Sequence, residues 1–208
     1  MATWTNIYIN TDQEHEVVKK LQELTDDLEV TYDTDFPSNI GDYQMLNTDL
    51  APNYLAVGKT QSNWTTIVHN SFDKMEDWGI YLSKQFHSKL IVTIAQSVSS
   101  AYYFALYDNG IKVREIETCY SEDFEMVDFG NKFEFEGDEP GKKVNYDDEE
   151  SYLFGFDSIE EYCQHFKLVI QTDYNDVKWT VLKGKNLRNE LAEFIQKYVP
   201  KKPWWKFW

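Results

Sequence analysis

Proton transfer near neutral pH falls first to histidine, and this chain has four: His15, His69, His87 and His165. Nucleophilic catalysis needs a nucleophile, a base to activate it and a third group to orient the base. None of the four stands in a recognisable catalytic motif. His15 and His87 fall among polar neighbours in stretches of helical spacing, and His165 adjoins Phe166, which faces a core. His69, at the end of a strand-like run and just ahead of Asn70 and Ser71, stands out, but a catalytic role needs a convergent geometry. No catalytic residue is assigned.

Metal chemistry finds no better footing. There is no HExxH and no paired CxxC, so no zinc site is expected. Asn145, Asp147 and Glu149 alternate as oxygen ligands would in a calcium loop. That loop needs Gly at the sixth position and Glu at the twelfth, where this chain has Glu150 and Phe156. "GDEPGKK" fails as a phosphate loop. Gly137 and Gly141 are one residue too close, and Lys143 stands where Ser or Thr would bind magnesium. With GxGxxG absent as well, no cofactor is expected. Carboxylate pairs abound, and a glycosidase-like hydrolase would need two of them at a set separation in a cleft.

The carboxylates matter more as a field than as pairs. Lys and Arg total 20 against 36 Asp and Glu, a net charge of −16. Such a surface repels phosphate, which argues against nucleic acid as a partner and leaves a basic protein open. The charge is also uneven. Residues 115–150 hold fourteen Asp and Glu against three lysines, a net of −11, whereas residues 178–208 hold eight basic against two acidic groups, a net of +6. A charge run is usually a solvated face. The functional reading is a partner-binding surface centred on Glu115, Glu117, Glu122, Asp123, Glu125 and Asp128. A third reading places the basic C-terminal segment beside the acidic one.

The elements that must carry these groups follow from periodicity. "TWTNIYIN" alternates Trp4, Asn6, Tyr8 against Thr5, Ile7, Ile9, which predicts a strand with two partly apolar faces. Thr11 and Glu14 have capping-box spacing ahead of Val17, Val18, Leu21, Leu24 and Leu28, so residues 12–26 read as a helix and "LEVTYD" as a second strand. Residues 33–52, with Pro37, Gly41 and Pro52, read as an irregular connection. A hairpin is predicted around Thr60 to Ser62, a helix over 72–87 and a central strand at "KLIVTIAQSV". Asp108-Asn109-Gly110 marks a type I′ hairpin turn, and "EMVDFGNKFEFE" a further strand pair turning near Gly130 and Asn131. "EGDEPGKKVNYDDEES" reads as an acidic loop. A helix capped at Asp157 follows, with Ile159, Tyr162, Cys163 and Phe166 on one face, then a short strand at "VKWTVLKG". A last amphipathic helix carries Leu187, Leu191, Phe194, Ile195 and Tyr198 and stops near Pro200.

Grouped hairpins with intervening helices predict an α+β fold, with a central, mainly antiparallel sheet over residues 53–136 and helices packed mostly on one face. A single domain of 208 residues is expected. It comprises a βαβ-like piece at 1–32, the connection at 33–52, a main body at 53–200 and a tail at 201–208. Cys119 and Cys163 are isolated, as reduced thiols would be. The N-terminal stretch has no basic segment followed by an apolar run, so no secretory signal is read and a cytoplasmic location is expected.

Taken together, "NWTTIVHNSFDKMEDWGIYLSKQF", "YYFALYDNGIKVREIE", the acidic region and the missing catalytic motif resemble, over roughly residues 53–170, the immunity-type proteins found beside bacterial polymorphic toxins. The resemblance is one of general character and transfers no residue role. It implies a non-enzymatic, acidic, cytoplasmic binding protein that neutralises a basic toxin or partner. The alternative is an enzyme, a carboxylate-based hydrolase with an aromatic cleft. The second alternative is peripheral membrane association through "KKPWWKFW". Pro200 and Pro203 make that tail extended, with Trp204 and Trp208 on one side and Trp205 and Phe207 on the other. Docking of Trp205 and Phe207 on the domain is predicted, with Trp204 or Trp208 partly exposed. The sequence leaves the oligomeric state open.

Overall fold

A computed structural model describes residues 3–23, 29–40, 52–119, 124–146, 149–170 and 173–184. Eleven strands occur there: β1 (Thr3–Ile9), β2 (Glu29–Thr34), β3 (Tyr54–Gln61), β4 (Trp64–His69), β5 (Lys89–Gln96), β6 (Ala101–Asp108), β7 (Ile111–Thr118), β8 (Val127–Gly130), β9 (Lys142–Tyr146), β10 (Glu149–Leu153) and β11 (Trp179–Lys183). Three α-helices accompany them: α1 (Glu14–Glu23), α2 (Glu76–Gln85) and α3 (Phe156–His165). The fold is α+β. Nine strands make one sheet in the order β2-β11-β3-β4-β1-β5-β6-β7-β8, and β9 and β10 pair separately. Every pairing in the large sheet is antiparallel.

The alternation in β1 works as its sequence implies. Ile7 and Ile9 enter the core beneath α1 and α2, together with Val17, Val18 and Leu21 of α1 and Trp78, Tyr81 and Leu82 of α2. Tyr8 faces the other side, where Ile91, Phe104 and Ile116 pack against Ile159, Tyr162 and Cys163 of α3. Two helices thus cover one face and one covers the other. β5, apolar on both faces, is buried from Leu90 to Ala95. A third cluster, built on Tyr54, Val68 and Trp179, closes the β3–β11 end. Asn109 and Gly110 both take positive φ, +48° and +83°, as a type I′ turn requires.

Several expectations change. The two strands of the βαβ-like N-terminal piece are not neighbours: β1 is the fifth strand of nine, and β4, β3 and β11 lie between it and β2. β3 runs on to Gln61, so the first hairpin turns at Ser62 and Asn63. α2 starts at Glu76 and not at residue 72, because Met75 takes a left-handed φ of 53° that no helix interior accepts. In α3, Asp157 already lies in the first turn. The helix start is closed by Ser158, whose Oγ accepts from the Gly155 N–H at 3.3 Å. The acidic loop contains the β9–β10 hairpin. Of the strand pair expected in "EMVDFGNKFEFE" one strand forms, β8, since residues 131–136 turn back, with the Glu136 N–H bonded to the Phe133 carbonyl at 3.0 Å. The C-terminal helix and the tail residues Trp204, Trp205, Phe207 and Trp208 lie outside the described residues.

Candidate functional site

The β8 end of the sheet gathers much of the described charge. β7 pairs with β8 in the register Arg114↔Gly130, Glu115↔Phe129, Ile116↔Asp128 and Glu117↔Val127. Since side chains alternate across a strand, Glu115 and Glu117 face α2, whereas Arg114 and Asp128 face α3. Four of the six acidic residues singled out from sequence are therefore placed, and they do not make one patch. Glu125 is exposed just ahead of β8, and Glu122 and Asp123 lie outside the described residues.

On the α2 face the carboxylates are paired. Glu115, 9% exposed, accepts a hydrogen bond from Lys112 Nζ at 2.8 Å. Lys112 also reaches Glu76 in the first turn of α2, at 2.9 Å. Burial works against the charge on Lys112, but Glu115 and Glu76 outweigh it and raise its pKa. Lys74 pairs with Glu117 and sits over the Tyr103 ring, 5.6 Å from its centroid. Burial, with Glu115 nearby, pushes the Tyr103 and Tyr107 phenols far up, so both stay protonated. Met75, between Lys74 and Glu76 in the chain, takes a left-handed φ of 53°.

On the opposite face Arg114 makes four hydrogen bonds. Its Nε and one Nη bind Glu136 at 2.9 and 2.5 Å; the other Nη binds Asp128 at 2.5 Å and the Phe129 carbonyl at 2.8 Å. The side chains of Arg114 and Glu136 are both 0% exposed. Burial alone would raise the Glu136 carboxyl; Arg114 and the Phe133 N–H reverse that and lower it. Burial and the adjacent Glu136 carboxylate raise the Tyr162 phenol. A guanidinium with its donors met in this way is a clamp, and it ties the turn at 131–136 to the sheet. Arg114 occupies a position that strand alternation shares with Ile116, and that mismatch was the one sequence signal for its burial.

Beyond the clamp lies an open edge. Among the described residues β8 has one strand neighbour, β7. Met126 and Phe129 are 42% and 48% exposed. In the segments either side of β8, Glu125, Glu134, Asp138 and Glu139 are exposed and make no ion pair among the described residues. Lys132 is turned to the Gly137 and Asp138 carbonyls.

His69 is fully buried at the end of β4, and neither ring nitrogen has a hydrogen-bond partner among the described residues. Burial lowers its pKa to about 3, which keeps it neutral. Asn145 and Glu149 of the calcium-like run fall on β9 and β10. No group of three or more His, Cys, Asp or Glu among the described residues is arranged to hold a metal. No described helix is long and apolar enough to cross a membrane.

The fold and this site define an α+β protein whose single large antiparallel sheet ends, among the described residues, in the acidic edge strand β8. No protein-family model, curated protein or solved structure matches the chain.

Proposed function

We propose that this chain is a non-enzymatic binding protein that takes a basic protein partner at the β8 end of its sheet, as an immunity protein would neutralise a basic toxin. The supporting observation is the set of exposed carboxylates, Glu125, Glu134, Asp138 and Glu139, that flank the edge strand β8 along the chain without ion pairs among the described residues. Unpaired like charges repel one another and are relieved by a cationic surface. Such a field speeds association with basic proteins and disfavours acidic ones. The interior pairs, Lys112 with Glu115 and Arg114 with Glu136, hold the edge in shape and leave the outer carboxylates available.

The test is a titration of poly-lysine into the full chain. Changing Glu125, Glu134, Asp138 and Glu139 to the corresponding amides is expected to weaken binding at least tenfold and to flatten its salt dependence. A control carries the same charge change at Glu16, Glu29, Asp33 and Asp176, of which Glu29 and Asp33 belong to the opposite edge strand, β2. It is expected to bind nearly as the parent does. Equal weakening in the two variants would show that net charge alone acts, and the proposed site would fall.

A further inference from the structure

We propose that β8 is a docking strand, which a basic partner joins by adding an extended segment of alternating cationic and apolar residues to the sheet. This rests on the reading above and names the mode of binding and the partner's pattern. An edge strand directs the N–H and C=O groups of alternate residues away from its neighbour, as a template for another strand. β8 has β7 on one side and no described strand on the other.

The side chains specify what fits. Val127 and Phe129, opposite Glu117 and Glu115, lie on the α2 face, and Asp128, opposite Ile116, lies on the other. Cross-strand neighbours sit roughly 5 Å apart. An incoming strand therefore sets apolar side chains beside Val127 and Phe129 and a second cation beside Asp128, which Arg114 already pairs through Oδ1. Further cations meet Glu125, Glu134, Asp138 and Glu139, which are exposed in the segments that flank β8 along the chain.

A second copy of this chain fits less well. Pairing two such edges would bring Asp128 and Glu125 against their own kind, and like charges across a strand pair are destabilising. Val127–Gly130 contains neither Lys nor Pro, the usual guards of an open edge. Its acidity bars self-pairing and admits a basic strand. Arg114, bonded to Asp128 and to the Phe129 carbonyl, already holds β8 in place. Little ordering cost then remains on this side of the complex.

Hydrogen exchange of the full chain with three probe peptides decides the matter. The first alternates valine and lysine over seven residues. The second has the same sequence with alternate backbone nitrogens methylated, and the third alternates valine and glutamate. The first is expected to slow exchange at the amides of residues 126–130 and to bind at least tenfold more tightly than either of the others. Equal binding of the methylated peptide would overturn strand addition while leaving the acidic binding reading intact. Equal binding of the glutamate peptide would overturn the charge match. Protection that appears at β2, or that appears at β8 without peptide as the protein is concentrated, would overturn the docking edge or its occupant.

Discussion

Arg114 and Glu136 form a buried two-bond ion pair, at 2.9 Å through Nε and 2.5 Å through Nη, that joins strand β7 to the turn beyond the sheet's edge. Removing one partner of such a pair strands a buried charge, at a cost of about 3–5 kcal/mol. Glu136→Gln and Arg114→Met should each lower stability by that order in urea unfolding. The double variant Arg114→Met with Glu136→Leu should recover part of the loss, because two apolar groups need no compensation. A double variant as unstable as the sum of the singles would mean that the two act independently. Amide exchange in β8 should rise in both single variants ahead of exchange in β5, since Arg114 also binds Asp128 and the Phe129 carbonyl.

His69 makes stability depend on pH in a direction opposite to that of a paired histidine. Its folded pKa, lowered by burial to about 3, lies below the ordinary 6.5. Between those values the unfolded chain binds a proton that the folded chain excludes. Stability is therefore retained above pH 6.5 and is lost as pH falls towards 3, approaching about 1.4 kcal/mol per pH unit. Denaturant midpoints between pH 7 and pH 5 should show this slope. His69→Leu should flatten it, and an unchanged slope in that variant would place the linked proton elsewhere.

Gly79 sets two physical effects against each other. Helix propensity alone favours alanine over glycine by about 1 kcal/mol. Here a Cβ on Gly79 would run into the ring of Tyr107, which is itself buried. Overpacking of this kind costs about 1–3 kcal/mol. Gly79→Ala is expected to lower the melting temperature, and pairing it with Tyr107→Leu should restore stability. A single variant more stable than the parent would show that Tyr107 moves aside freely.

The parts of the fold legible in the sequence are those set by neighbours along the chain. Alternation in "TWTNIYI" and "KLIVTIAQ", the spacing of Val17, Val18 and Leu21, and Asn109-Gly110 at a tight turn each reflect local backbone geometry. Residues 142–153 show the limit. Their acidic composition reads as loop, yet Lys142–Tyr146 and Glu149–Leu153 pair with one another, because strand formation depends on having a partner more than on composition.

The candidate site was legible as a surplus of charge and not as an arrangement. Composition and periodicity alone establish that the chain is acidic, that its negative charge concentrates in residues 115–150 and that its elements mix strands with helices. Tertiary structure alone decided that β1 sits at the centre of nine strands and that Arg114 is buried with Glu136. It also decided that Glu115 and Glu117 face α2 while Asp128 faces the other way. The physical reason is that charge and period are properties of consecutive residues. Strand order, burial and the face a side chain takes depend on pairings between segments far apart in the chain, and a period of two leaves open which face meets which helix.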